Sequence, residues 1–142
     1  MTKLLFVCTG NTCRSPMAEG IFNVYAAAEH LDALAESAGV MVTGAAPACD
    51  NAILTAAEYG ADLSSHHARR INESMIDACD AVLCMTYGHQ SVLERMFPQY
   101  AEKIMCLSSE DIADPYGGDL MLYRKTAEQI DAAIRKLPIR KD

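Results

Sequence analysis

Val7-Cys8-Thr9-Gly10-Asn11-Thr12-Cys13-Arg14-Ser15-Pro16 is the stretch that decides how this chain folds. Before it, Lys3 to Val7 is short and nearly all apolar, the pattern of a buried strand. After it, Pro16 suits the first turn of a helix, because its φ is already fixed and its missing N–H is not needed there. A loop running from a strand into a helix start gathers backbone N–H groups and the positive end of the helix dipole in one concavity. Such a concavity binds an oxyanion, most simply phosphate. A thiol at its mouth, here Cys8, has its thiolate form stabilised and becomes a nucleophile near neutral pH. Arg14 adds a planar fork able to hold two oxygens of the same anion.

Outward from this loop the apolar pattern alternates between two periods. Met17, Ile21, Val24 and Ala28 recur at three- and four-residue steps and predict a helix over 16 to about 30 with one buried face. Leu34 to Ala38 reads as a strand ended by Gly39, and residues 40 to 49, with Pro47, as a loop. Asp50 to Tyr59 reads as a helix stopped by Gly60, and Asn72 as the cap of a helix over about 73 to 79. The segment 61 to 71 is polar. Ala81 to Met85 is a continuous apolar run, as a strand covered on both faces requires. A helix over Gly88 to Phe97, stopped by Pro98, precedes a last strand at Lys103 to Leu107. After a loop over 108 to 118, the stripe Leu120, Tyr123, Ala127, Ile130, Ile134 and Leu137 marks a final helix over about 119 to 137. Strands alternating with helices give an α/β fold, a three-layer sandwich with a central four-stranded parallel sheet and the anion-binding loop after its first strand. Ligands in such sheets bind at the carboxyl ends of strands, where Cys8 falls.

The bulk properties bound the function. The 142 residues read as a single domain, 1–142, with 51% apolar and 22% charged residues, a globular composition. No apolar run approaches the roughly 20 residues of a membrane helix, and Met1-Thr2-Lys3 leads straight into a strand with no signal peptide. Six cysteines without a secretory signal predict a reducing cytoplasm. A formal charge of -7 argues against a nucleic-acid partner, though local N–H groups and Arg14 overcome that field for a phosphorylated substrate. No Cys-x-x-Cys or His-rich spacing points to a metal. Cys84 and Cys106 lie in apolar strands and read as core, while Cys49 and Cys79 have no local partner pattern.

The run from Val7 through Met17, Ala18 and Glu19 resembles the low-molecular-weight protein-tyrosine-phosphatase family. Asp114-Pro115-Tyr116-Gly117 resembles that family's acid loop, near the C-terminus as the family requires. Ser37-Ala38-Gly39 and His67-Ala68-Arg69-Arg70 follow in the expected order, so the likeness covers essentially the whole chain. The resemblance implies a cofactor-free hydrolase whose partners are phosphorylated proteins and whose product is inorganic phosphate. Cys8 is then the nucleophile, Arg14 the clamp on the phosphoryl oxygens, and Asp114 the acid that protonates the leaving atom and next deprotonates a water. Thr9, Gly10, Asn11, Thr12, Cys13 and Ser15 form the substrate-binding loop, and Tyr116 a wall of the pocket. Ser15 donates to the Cys8 thiolate, caps the helix begun at Pro16, or does both. Asn11, by resemblance, braces the loop through side-chain hydrogen bonds, with His66 as a partner. Arg69 and Arg70 read as solvated surface. Cys13, in the same loop as Cys8, is placed to capture a sulfenic acid as a disulfide, which predicts reversible inactivation by peroxide.

The family has a phosphotyrosine branch and a phosphoarginine branch, and the string Cys8-Thr9-Gly10-Asn11-Thr12-Cys13-Arg14 matches the second. Tyrosine-directed members usually carry a bulky aliphatic residue where Thr12 stands, packed on the phenyl ring. Threonine leaves room and a hydroxyl for a guanidinium. Gly117-Gly118 after Tyr116, and the absence of Trp or Tyr beside Val40 and Met41, point the same way. Phosphotyrosine is the alternative substrate. Thiol-dependent arsenate reductases share the loop but need two further cysteines close together; Cys84 falls near the first position, and residues 85 to 105 contain no second. A non-catalytic phosphate-binding module would typically lack Cys8, Arg14 or Asp114, and all three are present.

Overall fold

The computed structural model describes residues 1–141; Asp142 lies outside the described residues. Four strands, β1 (Thr2–Cys8), β2 (Ala33–Gly39), β3 (Ala81–Cys84) and β4 (Ile104–Cys106), form one sheet in the order β2-β1-β3-β4, every pair parallel. Five helices connect and follow them: α1 (Arg14–Ala28), α2 (Asp50–Ala57), α3 (Glu73–Ala78), α4 (Tyr87–Met96) and α5 (Leu120–Ile134). Successive side chains of a strand point to opposite faces, and β1 feeds two cores in this way. Leu4, Phe6 and Cys8 join α1, α2 and α5, including Phe22, Ile130 and Ile134. Leu5 and Val7 join α3 and α4 through Ile76 and Leu93. The Phe6 and Phe22 rings, both fully buried, lie with centroids 6.0 Å apart and tilted by 57°. Burial of each such ring stabilises the fold by about 2–3 kcal/mol. This is the expected three-layer α/β sandwich.

The order of the strands positions the site. From β1 the chain crosses to β2 on one side, then returns past β1 to β3 on the other side. The carboxyl end of β1 therefore sits beside the point where the connections diverge, and the loop after Cys8 has open space above it.

Several element ends differ from the sequence expectation, each for a local reason. Helix α1 starts at Arg14, two residues before Pro16, and its N-cap Cys13 makes no side-chain cap bond. Its buried face comprises Met17, Ala18, Ile21, Phe22 and Ala26, while Val24 and Ala28 are exposed. The helix is wedged between the sheet and both α2 and α5, which turns its covered face away from the one-stripe expectation. Helix α2 ends at Ala57, and a turn carries the chain to Gly60, whose φ of 83° suits glycine. Pro98 ends α4 at Met96 and opens a 3-10 turn over Pro98–Lys103, so β4 starts at Ile104. Helix α5 stops at Ile134; Leu120 and Leu137 lie at the two ends of its stripe and are only half-buried. Asn72 caps α3 as expected, its side chain accepting from the Met75 N–H at 2.9 Å.

Candidate active site

Each part of the site hangs from a strand end. Cys8 closes β1 in register with Gly39 of β2. From Gly10 to Ser15 no backbone N–H donates to a protein acceptor among the described residues. These groups turn through the loop into the first turn of α1, whose own leading N–H groups have no intrahelical partner. Buried donors left in this way call for an anion. A cavity of about 250 Å³ opens above them, lined by Cys8, Thr9, Gly10, Thr12, Cys13, Arg14, Asp114 and Tyr116. The sequence-predicted set is thus brought together, apart from Asn11 and Ser15, which support the loop from below.

Asn11 is wholly buried and adopts a left-handed φ of 56°, a conformation asparagine tolerates better than most residues. Its amide donates to Ser15 Oγ at 2.8 Å and to Ser37 Oγ at 3.0 Å. Its Oδ1 accepts from the Arg69 N–H at 3.0 Å, and Ser37 Oγ donates to Glu19 Oε1 at 2.6 Å. Every polar atom of the Asn11 side chain is satisfied, which is what keeps a strained loop in one shape. His66 does meet Asn11, as the resemblance implied, but at the backbone carbonyl, through Nε2 at 2.8 Å. Ser15 makes no cap; its Oγ lies 2.8 Å from Cys8 Sγ, with the Ala38 carbonyl farther off at 3.4 Å. As Ser15 Oγ already accepts from Asn11, its own hydrogen is free to point at the sulfur.

Arg14 is only 6% exposed at its side chain, and joins the two halves of the site. Nη1 donates to the Ile112 carbonyl at 3.1 Å, and Nη2 lies 3.6 Å from Asp114 Oδ2, a carboxylate with 55% of its side chain exposed. The loop bearing Asp114 is clamped from below. The Ile112 N–H reaches the Met85 carbonyl at 2.8 Å, while Gln129 of α5 donates to the Asp111 carbonyl and accepts from the Ala113 N–H. A turn at Pro115, closed by the Gly118 N–H and opened to left-handed φ at Gly117, presents Tyr116, 75% exposed, over the cavity.

Two contributors to the site, Arg69 and His89, and one thiol outside the cavity lining, Cys49, escaped the sequence reading. Arg69, expected on solvated surface, is half-tied to the loop: it binds Glu36 and the Ser37 carbonyl through its guanidinium and Asn11 through its backbone. Its local sequence is polar, so only the folded approach of 61 to 71 to the loop reveals the role. His89 of α4 is buried, with Nε2 at 2.8 Å from Thr9 Oγ1 and Nδ1 at 3.0 Å from Thr86 Oγ1. Burial, assisted by the Arg14 charge, pushes its pKa down to about 4, so the ring is neutral when it holds Thr9. Cys49, which showed no partner in sequence, lies with its sulfur 2.9 Å from Cys13 Sγ. Cys84 is buried as core, and Cys106 is half-buried, bonded to Gln90. No cluster of three or more metal-ligating side chains occurs among the described residues.

A thiol in an anion nest at the end of a central parallel strand, facing an arginine and a carboxylate, defines a phosphoryl-transfer site of the cysteine-nucleophile class. The family of low molecular weight phosphotyrosine protein phosphatases matches residues 3–141. A protein-arginine-phosphatase of Bacillus subtilis (strain 168) is 34% identical over 140 residues, 94% of this chain and 93% of its own. Among solved structures, the low molecular weight protein tyrosine phosphatase of T. tengcongensis superposes with a TM-score of 0.92 at 43% identity, covering 96% of this chain and 97% of the other. An arginine phosphatase, YwlE, solved as a cysteine-to-serine mutant with a phosphorylated active-site serine, gives a TM-score of 0.90 at 33% identity, covering 94% and 91%. The chain belongs to the low molecular weight phosphatase family: it is a cysteine-dependent phosphatase, a hydrolase.

Proposed function

We propose that this phosphatase acts on phosphorylated protein side chains, phosphoarginine first among them. The observation that carries the reading is Thr12, half-buried on the cavity wall where a bulkier aliphatic side chain would pack on a phenyl ring. A guanidinium is planar and rich in N–H donors, and it matches a wall that offers a hydroxyl oxygen. Gly117 and Gly118 beyond Tyr116, and Val40 and Met41 in place of an aromatic wall, support the same substrate, as do the arginine phosphatases among the relatives. The tyrosine phosphatase neighbour and the exposed Tyr116 ring favour phosphotyrosine as the second reading.

In this reading the free N–H groups from Gly10 to Ser15 and the Arg14 fork take the three phosphoryl oxygens. Cys8 Sγ attacks the phosphorus, and the bond from phosphorus to the substrate nitrogen breaks. Asp114 delivers a proton to that nitrogen, so the arginine leaves neutral at the departing atom. Asp114 then takes a proton from water as the water attacks the cysteinyl-phosphate. Inorganic phosphate departs and Cys8 is restored, its charge taken up by the Ser15 hydroxyl. A nucleophilic thiol is active only while reduced, which supports a reducing, cytoplasmic setting for this chemistry.

Hydrolysis of matched phosphoarginine and phosphotyrosine peptides by wild type and Thr12→Ile tests the substrate. The expected wild-type preference for phosphoarginine falls by roughly ten- to a hundredfold in kcat/KM on substitution, with phosphotyrosine gaining. A wild-type preference for phosphotyrosine that isoleucine leaves unchanged overturns the assignment.

A further inference from the structure

Cys13 and Cys49 form a thiol pair that hydrolysis does not use. Their sulfurs lie 2.9 Å apart, with Tyr123 Oη 3.3 Å from Cys13 Sγ. The backbone holds them together, because the Cys49 N–H donates to the Thr12 carbonyl at 2.9 Å at the start of α2. Cys8 and Cys13 line one cavity, yet the resting contact of Cys13 is with Cys49, whereas that of Cys8 is with Ser15. Three thiols thus follow one another from the nucleophile to the start of α2.

We propose that Cys49 is the terminal thiol of a relay that returns an oxidised Cys8 to its free form, leaving the oxidation on a Cys13–Cys49 disulfide. The proposal rests on Cys8 being the reactive thiol of the site. A hydroperoxide transfers one oxygen to Cys8, giving the sulfenic acid, and leaves as water or alcohol. Cys13 Sγ attacks that sulfur; its proton goes to the departing hydroxyl, which leaves as water, and a Cys8–Cys13 disulfide forms. Cys49 then attacks Cys13, its proton passing to solvent, and the Cys8–Cys13 bond breaks with Cys8 leaving as the thiolate held by Ser15. The balance is one hydroperoxide reduced and two thiols, Cys13 and Cys49, oxidised, with Cys8 unchanged.

Two physical features set the direction of the last step. Attack falls on the sulfur that Cys49 already touches, which is Cys13. The sulfur expelled is the one with a hydroxyl donor waiting for its charge, which is Cys8. In the resting protein burial, with the Cys49 contact, pushes the Cys13 thiol up to about 12, so peroxide enters at Cys8, and Cys13 reacts only where the departing hydroxyl of the Cys8 sulfenic acid can take its proton. The pair also holds a single charge of oxidation. The first equivalent of peroxide is survived, and a second finds no Cys13 thiol to capture it.

The test adds one equivalent of hydrogen peroxide to reduced, full-length wild type, Cys49→Ser and Cys8→Ser, then follows phosphatase activity before and after a thiol reductant. Disulfides are mapped by mass spectrometry without reduction. Wild type is expected to lose activity and regain it without added thiol, ending with Cys13–Cys49 linked. Cys49→Ser is expected to start with wild-type activity, stop at Cys8–Cys13 and stay inactive until thiol is added. Cys8→Ser is expected to form Cys13–Cys49 far more slowly. A Cys8–Cys13 end product in wild type overturns the relay, as does unaided recovery in Cys49→Ser or undiminished Cys13–Cys49 formation in Cys8→Ser. Should serine disturb the start of α2, Cys49→Ala gives the same readout. Activity before peroxide reports separately on Cys8 as the catalytic nucleophile, so failure of that reading is distinguishable from failure of the relay.

Discussion

Asp114 shows how a single side chain divides its contacts. One oxygen faces Arg14 at 3.6 Å and the other accepts the Tyr116 N–H at 3.1 Å, which aims the carboxyl into the cavity. Asp114→Asn keeps that shape and removes the proposed proton transfer. It is expected to lower kcat by about 10²–10⁴ while leaving competitive inhibition by inorganic phosphate nearly unchanged, as steady-state kinetics will show. His89 supplies the pH argument. Its folded pKa of about 4 lies below the ordinary 6.5, so the unfolded chain binds a proton that the folded chain refuses. Stability is therefore full above the unfolded value and is withdrawn as pH falls from 6.5 towards about 4, with a ceiling of roughly 3 kcal/mol. Urea unfolding across that range should show the loss in wild type and a flatter profile in His89→Gln. Cys8, Arg14 and Asp114 were legible because their spacing is short or their loop is marked by proline. His89 and Arg69 were not, because a histidine on a helix and an arginine in a polar run acquire their partners only when distant segments meet.

At the scale of elements, the join between β1 and β2 carries the loop. The Val40 N–H donates to the Cys8 carbonyl and the Met41 N–H to the Thr9 carbonyl, so the chain beyond β2 runs directly against the anion nest. Gly39 makes that approach possible. A Cβ there would stand 2.6 Å from the Thr9 carbonyl oxygen and 3.0 Å from the Asn11 nitrogen, both backbone atoms that cannot turn aside. Gly39→Ala is expected to destabilise the fold by about 1–3 kcal/mol in urea unfolding and to weaken phosphate binding by displacing the loop. Element identities were largely legible, since Leu4 to Cys8 of β1 and all of β3 are unbroken apolar runs and Asn72 and Gly60 punctuate as their chemistry dictates. Element faces were less so. The covered side of α1 depends on its being wedged between three neighbours, and the period of its own residues does not contain that information.

For the whole molecule, the four-stranded parallel sheet followed from the alternation of strand and helix, whereas the order β2-β1-β3-β4 is a property of the connections and left no mark in any one segment. The approach of 61 to 71 to the nest, which brings Arg69 to Asn11, is hidden for the same reason, and the meeting of His66 with Asn11 was legible only through the family resemblance. That order has a consequence for how the enzyme comes apart. Strand β1 has a hydrogen-bonded neighbour on each edge and a core on each face, so its amides reach solvent only when the entire domain opens. The Asp114 loop is anchored at buried Ile112 but beyond it is held by a few bonds at exposed positions, and is expected to open at lower cost than the sheet. As the protein is warmed, the cradle around Cys8 is expected to outlast the placement of Asp114, so that phosphate binding persists at temperatures where turnover has been lost, which binding and rate measurements over one temperature series will check.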